Sequence, residues 1–167
     1  STDGTGWFCQ LMTDNSLTTP EIFADDLGTT IDEAIAILPL VYLPESETTV
    51  AVFRRSDGYL FQSRKSRNNA WSKPSRISDR AVVTNAVDSE QAGADLTVHG
   101  HRLWVTYIAE SDRNIYLSVL DDFEKTPGTE RIVSGINGSW IRGNILFHQP
   151  DSPVYGLVYD AGSKGGS

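Results

Sequence analysis

An internal repeat with a period of about 54 residues constrains this chain more than any other feature of its sequence. A proline followed by an apolar strand recurs three times in the 167 residues, at Pro20, Pro74 and Pro127. The first two of these prolines are 54 positions apart and the last two are 53 apart. Self-similarity at a fixed period is typical of repeat architectures, in which each repeat is one supersecondary unit.

Two further patterns share this period. The first is a turn before an aromatic strand, as in Asp3-Gly4 before Trp7-Phe8, Asp57-Gly58 before Tyr59-Leu60-Phe61, and Asp112-Arg113-Asn114 before Ile115-Tyr116. The second is an alternating apolar strand, found in residues 49–53, 103–107 and 154–159. Alternation with period two predicts β-strands, and Asp-Gly predicts a tight hairpin turn. Three patterns in one register indicate a real structural repeat.

Each unit of the repeat predicts four strands. They fall near 35–43, 49–55, 58–64 and 71–78 in one unit, and near 94–99, 102–109, 113–120 and 129–134 in the next. Residues 30–37 also carry a weak helical spacing, which a buried edge strand accommodates equally well. Four short strands per repeat are typical of a β-propeller blade. We therefore predict an all-β fragment of a β-propeller with four-stranded antiparallel blades, two of them full and two of them half blades.

The predicted boundaries are a half blade at 1–27, blades at 28–80 and 81–135, a half blade at 136–160, and a flexible Gly/Ser-rich tail at 161–167. Half blades have unpaired strand edges, which are aggregation hazards unless they are covered. We expect a companion fragment or a second copy of the chain to complete the propeller. A free monomer is therefore not expected.

Charge and composition narrow the classes of partner. The net charge of −8 argues against nucleic acid, whose binding needs clustered Lys and Arg. No apolar run approaches the ~20 residues that span a bilayer, so no membrane partner is expected. The single cysteine, Cys9, can form no disulfide within the chain. The sequon that begins at Asn137 favours a secreted or extracellular protein, with a cytoplasmic location as the alternative.

Residues 49–78 resemble one blade of the fungal fucose-specific lectins. The resemblance rests on the aromatic strand that ends at Phe53, the Asp57-Gly58 turn, the strand Tyr59–Ser63, and the segment Ala70-Trp71-Ser72-Lys73-Pro74. It implies a propeller fold with sugar sites between blades. In that family an Arg, a Glu and a Trp bind fucose, and the matching positions here are Ala51, Gln62 and Trp71. Because the charged pair is absent, we expect little or no binding of L-fucose.

The candidate ligand-binding residues combine aromatic rings with polar donors. They are Arg55, Gln62, Trp71, Trp140 and Arg142. Trp71 could stack on an apolar sugar face while the amide of Gln62 binds hydroxyl groups. The alternative for Trp71 is packing between blades, where large aromatic side chains are common.

The sequence predicts no metal site, no cofactor and no nameable catalytic group. Asp25-Asp26 and Asp121-Asp122 are adjacent acids at the ends of strands, and we interpret them as solvated turn residues. The three histidines, His99, His101 and His148, lack a further ligand in a suitable pattern. No Gly-x-Ser-x-Gly elbow is present.

Two functional classes remain. The first is a lectin-like binding module that holds a glycan or small organic molecule in inter-blade clefts or in the central cavity. The second is a fungal-type biosynthetic enzyme that uses the cavity to steer a cyclisation or cycloaddition. The candidate residues do not repeat from blade to blade, which argues against a multivalent lectin. Since no catalytic group can be named, binding is the preferred prediction.

Overall fold

The secondary structure is entirely β in the part of the chain that can be described. The computed structural model describes residues 7–8, 16, 19, 21–22, 34–37, 40–66, 69–83, 93–99, 102–123, 130–134, 140–148 and 155–162. The strands in these ranges are β1 (Trp7–Phe8), β2 (Glu21–Ile22), β3 (Ala34–Ile37), β4 (Val41–Leu43), β5 (Thr48–Arg55), β6 (Leu60–Ser66), β7 (Ser75–Arg76), β8 (Ala94–His99), β9 (Arg102–Ile108), β10 (Ile115–Asp121), β11 (Arg131–Ser134), β12 (Trp140–His148) and β13 (Tyr155–Gly162). The described residues include no helix that is both long and apolar enough to cross a membrane.

Two large antiparallel sheets form the centre of the fold. Sheet I has the order β3-β5-β6-β7, and β4 pairs with β5 beyond the end of β3. Sheet II has the order β8-β9-β10-β11. The prediction of an all-β protein with antiparallel sheets is therefore confirmed, and none of the described sheets closes on itself. Residues 34–37 form a strand, which is one of the two structures that their spacing accommodates.

The predicted strands 49–55 and 102–109 occupy the same position in their respective sheets. β5 lies between β3/β4 and β6, and β9 lies between β8 and β10. Their β-branched and aromatic residues suit extended backbone, in which neighbouring side chains pack on a pleated surface. The repeat in the sequence thus corresponds to a repeat of strand order.

Two smaller pairs flank the large sheets in sequence. β1 pairs with β2, and β12 pairs with β13. β13 reaches two residues into the segment that was predicted as a flexible tail, because Gly162 and Ala161 pair with Trp140 and Ile141. β12 also lies against β8 and β9 of sheet II.

Alternation along the strands builds one shared core between sheets I and II. Val50 and Val52 of β5 contribute to it from one side, and Leu103, Val105 and Tyr107 of β9 from the other. All five side chains are fully buried. Burial of each such side chain stabilises a fold by about 1.5 to 3 kcal/mol. The side chains between them in sequence, such as Ala51 and Phe53, face the opposite side of sheet I.

One end of the two sheets carries matching hairpin turns. In sheet I, Asp57 accepts the backbone N–H of Tyr59 at 3.0 Å, and Gly58 has φ +89°. In sheet II, Asp112 accepts the N–H of Asn114 at 3.0 Å, and Arg113 has φ +60°. The predicted Asp-Gly turn is confirmed, and its counterpart keeps the same conformation without glycine.

The chain that connects the two sheets joins this end together. We call residues 81–83 the latch, and the end of the sheets that contains it and the turns 56–59 and 110–114 the latched end. Within the latch, the N–H of Val82 donates to Gly58 O at 2.8 Å, and the N–H of Val83 donates to Ile108 O at 3.0 Å. The carbonyl oxygen of Ala81 accepts a hydrogen bond from the N–H of Glu110 at 2.8 Å. Its backbone therefore bonds both sheets.

Candidate functional site

A cleft opens between the sheets at the end opposite the latch. It has a volume of about 740 Å³, and we call this side of the molecule the cleft end. Its walls consist mainly of apolar residues of β4 and β8, together with Phe123. The lining residues are Val41, Tyr42, Leu43, Pro44, Glu45, Ser46, Leu96, Thr97, Val98 and Phe123. A volume of several hundred Å³ is typical of sites for small organic ligands.

The β4–β5 turn, residues 44–47, forms one rim of the cleft. Glu47 adopts a left-handed conformation with φ +48°, and its N–H donates to Pro44 O at 3.4 Å. The hydroxyl of Thr48 donates to Ser46 O at 3.1 Å. The turn places the exposed side chains of Glu45 and Ser46 at the rim. It therefore supplies polar groups beside an apolar wall.

The turn that follows β10 forms another part of the lining. Asp122 and Phe123 both have positive φ, +49° and +62°. Asp tolerates this region, but for a bulky side chain such as Phe it is an outlier that costs about 1 to 2 kcal/mol. Phe123 is 8% exposed, lines the cleft and contacts the shared core. A strained conformation is thus maintained at the cleft.

Two side chains of sheet I bond to this turn across the gap between the sheets. The amide Nε2 of Gln62 donates to Phe123 O. The guanidinium of Arg64 donates to Asp122 O at 3.5 Å. Gln62 and Arg64 are two positions apart on β6, so they lie on the same face of the sheet. The position of the turn is therefore determined partly by sheet I.

The cleft is equipped for binding more than for proton transfer. Among its lining residues, Tyr42 and Glu45 are the ones with ionisable side chains, and both are exposed. Hydrophobic walls with a few polar groups at one side favour a ligand with an apolar body and a polar end. Within the described ranges, no group of three or more His, Cys, Asp and Glu residues could hold a metal ion.

The structure does not bring Gln62 and Trp71 together. Gln62 pairs with Val52 across β5 and β6 and faces sheet II, where it bonds to Phe123. Trp71 packs with Ala51 and Phe53 on the opposite face of sheet I. Trp71 is only 2% exposed, so its ring is a packing element in this arrangement. A sugar platform made by these two side chains is not formed.

Of the other predicted site residues, Arg55 is the one whose side chain is described, and it is not among the described residues that line the cleft. Arg55 is half-buried at the end of β5, and its guanidinium lies 5.0 Å from the centre of the Phe61 ring. Phe61 packs on the Trp71 side of sheet I. Trp140 and Arg142 lie in β12, of which only the backbone is described. Asp25, Asp26, His101 and Asn137 lie outside the described residues.

A polar cluster between the sheets was not predicted from the sequence. Arg80 binds Glu130 at 3.1 Å and lies 4.2 Å from the centre of the Tyr116 ring. Glu130, whose side chain is 2% exposed, also accepts the N–H of Asp79 at 2.6 Å. Because Asp79 and Arg80 follow β7 of sheet I, whereas Tyr116 lies in β10 and Glu130 directly precedes β11 of sheet II, the cluster acts as a clamp between the two sheets.

Two tyrosines at this cluster, Tyr107 and Tyr116, have pKa values raised above the usual value. Burial of Tyr107, together with the negative charge of Glu130, raises its pKa far above the usual value. Burial also raises the pKa of Tyr116, whose hydroxyl donates to Asp112 at 2.8 Å. A tyrosine that stays neutral can donate a hydrogen bond but supplies no phenolate base. The cluster therefore has the chemistry of a structural clamp.

Little in the sequence distinguishes the cleft residues that the prediction missed. Val41, Leu43, Leu96 and Val98 follow the ordinary alternation of strands, and Phe123 follows a predicted turn pair, Asp121-Asp122. The available signal was the Pro44–Ser46 turn beside an apolar strand. No family model matches the chain, and neither a curated protein nor a solved structure matches it.

Proposed function

We propose that this chain is part of a β-propeller that binds a small organic molecule, without catalysis, in the cleft between two neighbouring blades. The observation that carries the proposal is the 740 Å³ cleft between sheets I and II. In this interpretation sheets I and II are successive blades, with β3/β4 and β8 as their inner strands. Four-stranded meanders that repeat with a 54-residue period support the interpretation.

The chemistry of the lining supports an amphipathic ligand in preference to a simple sugar. Val41, Leu43, Leu96, Val98 and Phe123 provide apolar contact on several sides. The polar groups of Glu45, Ser46 and Thr97 can bind one hydroxyl, amide or cationic end. A glycan would need polar partners around its whole rim. A lectin-like role thus applies best to a glycoside with an apolar aglycone or to a small lipophilic molecule.

Binding is also favoured over the enzymatic alternative by the location of the perturbed groups. Tyr107 and Tyr116, whose pKa values are raised, belong to the clamp and are not among the cleft-lining residues. Active sites usually place such groups within the pocket. The proposed site thus relies on shape and burial of apolar surface.

The proposal includes a partner for the half blades. β12 lies against β8 and β9, as the inner strand of a following blade would. Strands from a companion fragment or from a second copy would complete the blades to which β1–β2 and β12–β13 belong. Secretion, which the sequon at Asn137 favours, is likewise part of the proposal.

Fluorescence titration with the neutral dye N-phenyl-1-naphthylamine tests the site. We expect saturable binding with blue-shifted emission, since the dye enters an apolar cleft. Ser46→Trp should fill the rim and weaken binding about tenfold or more. Ser111→Trp is the matched control, because Ser111 is an exposed turn residue at the latched end. Equal dye binding by the wild type and both variants would contradict this location.

Free L-fucose provides a second test. The positions that correspond to the sugar-binding Arg and Glu hold Ala51 and Gln62, and Gln62 bonds to Phe123 instead. We therefore expect no measurable heat when fucose is titrated into the protein by calorimetry. A micromolar affinity for fucose would contradict this expectation and the match of Ala51 and Gln62 to the sugar-binding positions.

A further inference from the structure

The turn that contains Phe123 is held in a conformation that it would not adopt alone. Two successive residues, Asp122 and Phe123, have left-handed backbone conformations, and the second has a bulky side chain. Such a conformation persists only where the surrounding structure imposes it. Contacts with neighbouring residues must therefore hold the turn in this conformation at the cleft.

The main contact comes from Gln62. Its Nε2 donates to the carbonyl oxygen of Phe123, and its side chain is buried, with the residue 3% exposed. In dry surroundings the carbonyl has no water to replace a lost donor, so the bond is costly to break. Arg64 adds a longer bond of 3.5 Å to Asp122 O from an exposed position. Gln62 is therefore the buried anchor of the turn.

We propose that Gln62 is a positioning residue that sets the width of the cleft and hence the size of ligand that it accepts. The inference rests on the proposed function of the cleft. Gln62 is not among the lining residues, whereas Phe123 is, so Gln62 acts through the Phe123 backbone. Fixing the turn holds the Phe123 ring against the core and leaves the space beside Leu96 and Val98 for a ligand.

A second bond between the sheets separates positioning from simple stabilisation. The hydroxyl of Ser118 donates to Ile77 O at 3.0 Å, and Ser118 is fully buried. Like the Gln62 bond, it joins a buried side chain of one sheet to a backbone carbonyl of the other. Neither Ser118 nor Ile77 lines the cleft. Loss of this bond should therefore weaken the fold without moving the cleft wall.

The experiment compares Gln62→Met with Ser118→Ala in the full chain. Met has nearly the volume of Gln but donates no hydrogen bond. Dye affinity is measured with N-phenyl-1-naphthylamine, and the turn is followed by amide hydrogen exchange of the peptide that covers 121–123. We expect Gln62→Met to weaken dye binding about fivefold to tenfold and to speed exchange in that peptide. Ser118→Ala should lower the melting temperature about as much as Gln62→Met does. It should leave the dye affinity and the exchange rate of the 121–123 peptide within about twofold of the wild type.

Asp122→Val provides a second variant in case Gln62→Met does not fold. Asp122 is exposed, and a β-branched residue strongly disfavours the positive φ that the turn adopts at this position, while no core side chain is removed. The same loss of dye affinity and faster exchange are expected. If both turn variants bind the dye as tightly as the wild type does, the inference is overturned and the cleft proposal remains intact. If the wild type binds no dye, the proposed function fails, and unchanged exchange in 121–123 would then overturn the role of Gln62 as well.

Discussion

Sheets I and II are joined in different ways at their two ends. At the latched end, backbone groups of residues 81–83 bond directly to Gly58, Ile108 and Glu110 at 2.8 to 3.0 Å. At the cleft end, the described hydrogen bonds between the sheets run from the side chains of Gln62 and Arg64 to one turn. The latched end is continuous hydrogen-bonded structure, whereas the cleft end has about 740 Å³ of open space.

This difference separates the stability of the fold from its proposed function. Backbone bonding and close packing belong to the end where the chain crosses from one sheet to the other. The strained residues Asp122 and Phe123 and the open volume belong to the other end. Ligand sites are commonly drawn from the less stable parts of a fold, because they must admit a partner. We expect substitutions at the latched end to affect mainly the stability of the fold, and substitutions at the cleft end to affect mainly ligand binding.

The largest contrast should come from one substitution made at both ends. Leu60 is fully buried beside the latched end, where its N–H donates to Ser78 Oγ at 2.9 Å. Leu60→Ala should lower the free energy of unfolding by about 3 to 4 kcal/mol, since it leaves a cavity in the shared core. Leu96, a half-buried residue of the cleft wall, should cost only about 1 kcal/mol when replaced by Ala.

Urea denaturation of both variants measures these losses of stability, and dye titration measures the affinity of each variant for the ligand. Leu96→Ala should change dye affinity severalfold, whereas Leu60→Ala should leave it nearly unchanged in the folded protein. Equal losses of stability, with equal effects on dye binding, would show that the two ends do not differ as the structure indicates.

The sequence allowed the strands to be predicted because their determinants are local. Alternation in 49–55 and 102–109 and the Asp57-Gly58 turn depend on neighbouring residues, and the structure has strands and a turn in these places. The repeat added the order of the strands within each sheet. Neither signal requires knowledge of contacts between sheets.

The cleft and the site residues could not be predicted in the same way. Gln62 and Trp71 are separated by a loop, and a loop breaks the alternation that tells which face of a sheet a residue occupies. Their opposite orientations emerged only from the contacts with Phe123 and Phe53. Phe123 itself has a left-handed backbone that its residue type disfavours, so no local propensity indicates it.

A smaller but local effect should follow from adding one methyl group beside the latch. A Cβ atom on Gly93 would lie 2.5 Å from Val83 Cγ2 and 3.2 Å from Val83 O. Gly93→Ala should therefore destabilise the fold by about 2 to 3 kcal/mol, because either the Val83 side chain or the backbone of the latch must move. Thermal unfolding measures the change.

Val83→Ala supplies the control for this clash, since it removes the methyl group that Gly93→Ala would meet. The double variant should recover part of the loss, so that the two effects are not additive. Strict additivity of the two losses in the double-mutant cycle would mean that the latch does not pack on Gly93 as described.

The smallest expected effect is a pH dependence at the Asp112 turn of the latched end. Burial opposes ionisation of Asp112, but hydrogen bonds from the Asn114 N–H and the Tyr116 hydroxyl outweigh it and lower its pKa. A carboxylate whose pKa is lowered by folding contributes stability above its unfolded pKa, about 3.9. That contribution is lost as the pH falls through the lower pKa of the folded state. Since Asp112 is exposed, it should amount to less than about 0.5 kcal/mol.

Comparison of the wild type with Asp112→Asn between pH 2 and pH 6 measures this contribution. The wild type should be slightly more stable at pH 6, and the difference should shrink below about pH 4, as the carboxyl group takes up its proton. Tyr116→Phe removes one of the two donors but keeps the ring that packs on Tyr107 and Arg80. In that background the pH-dependent part of the Asp112→Asn effect should become smaller. A difference that stays constant over the whole range would mean that the charge of Asp112 does not stabilise the latched end, and that backbone bonding of the latch accounts for its rigidity alone.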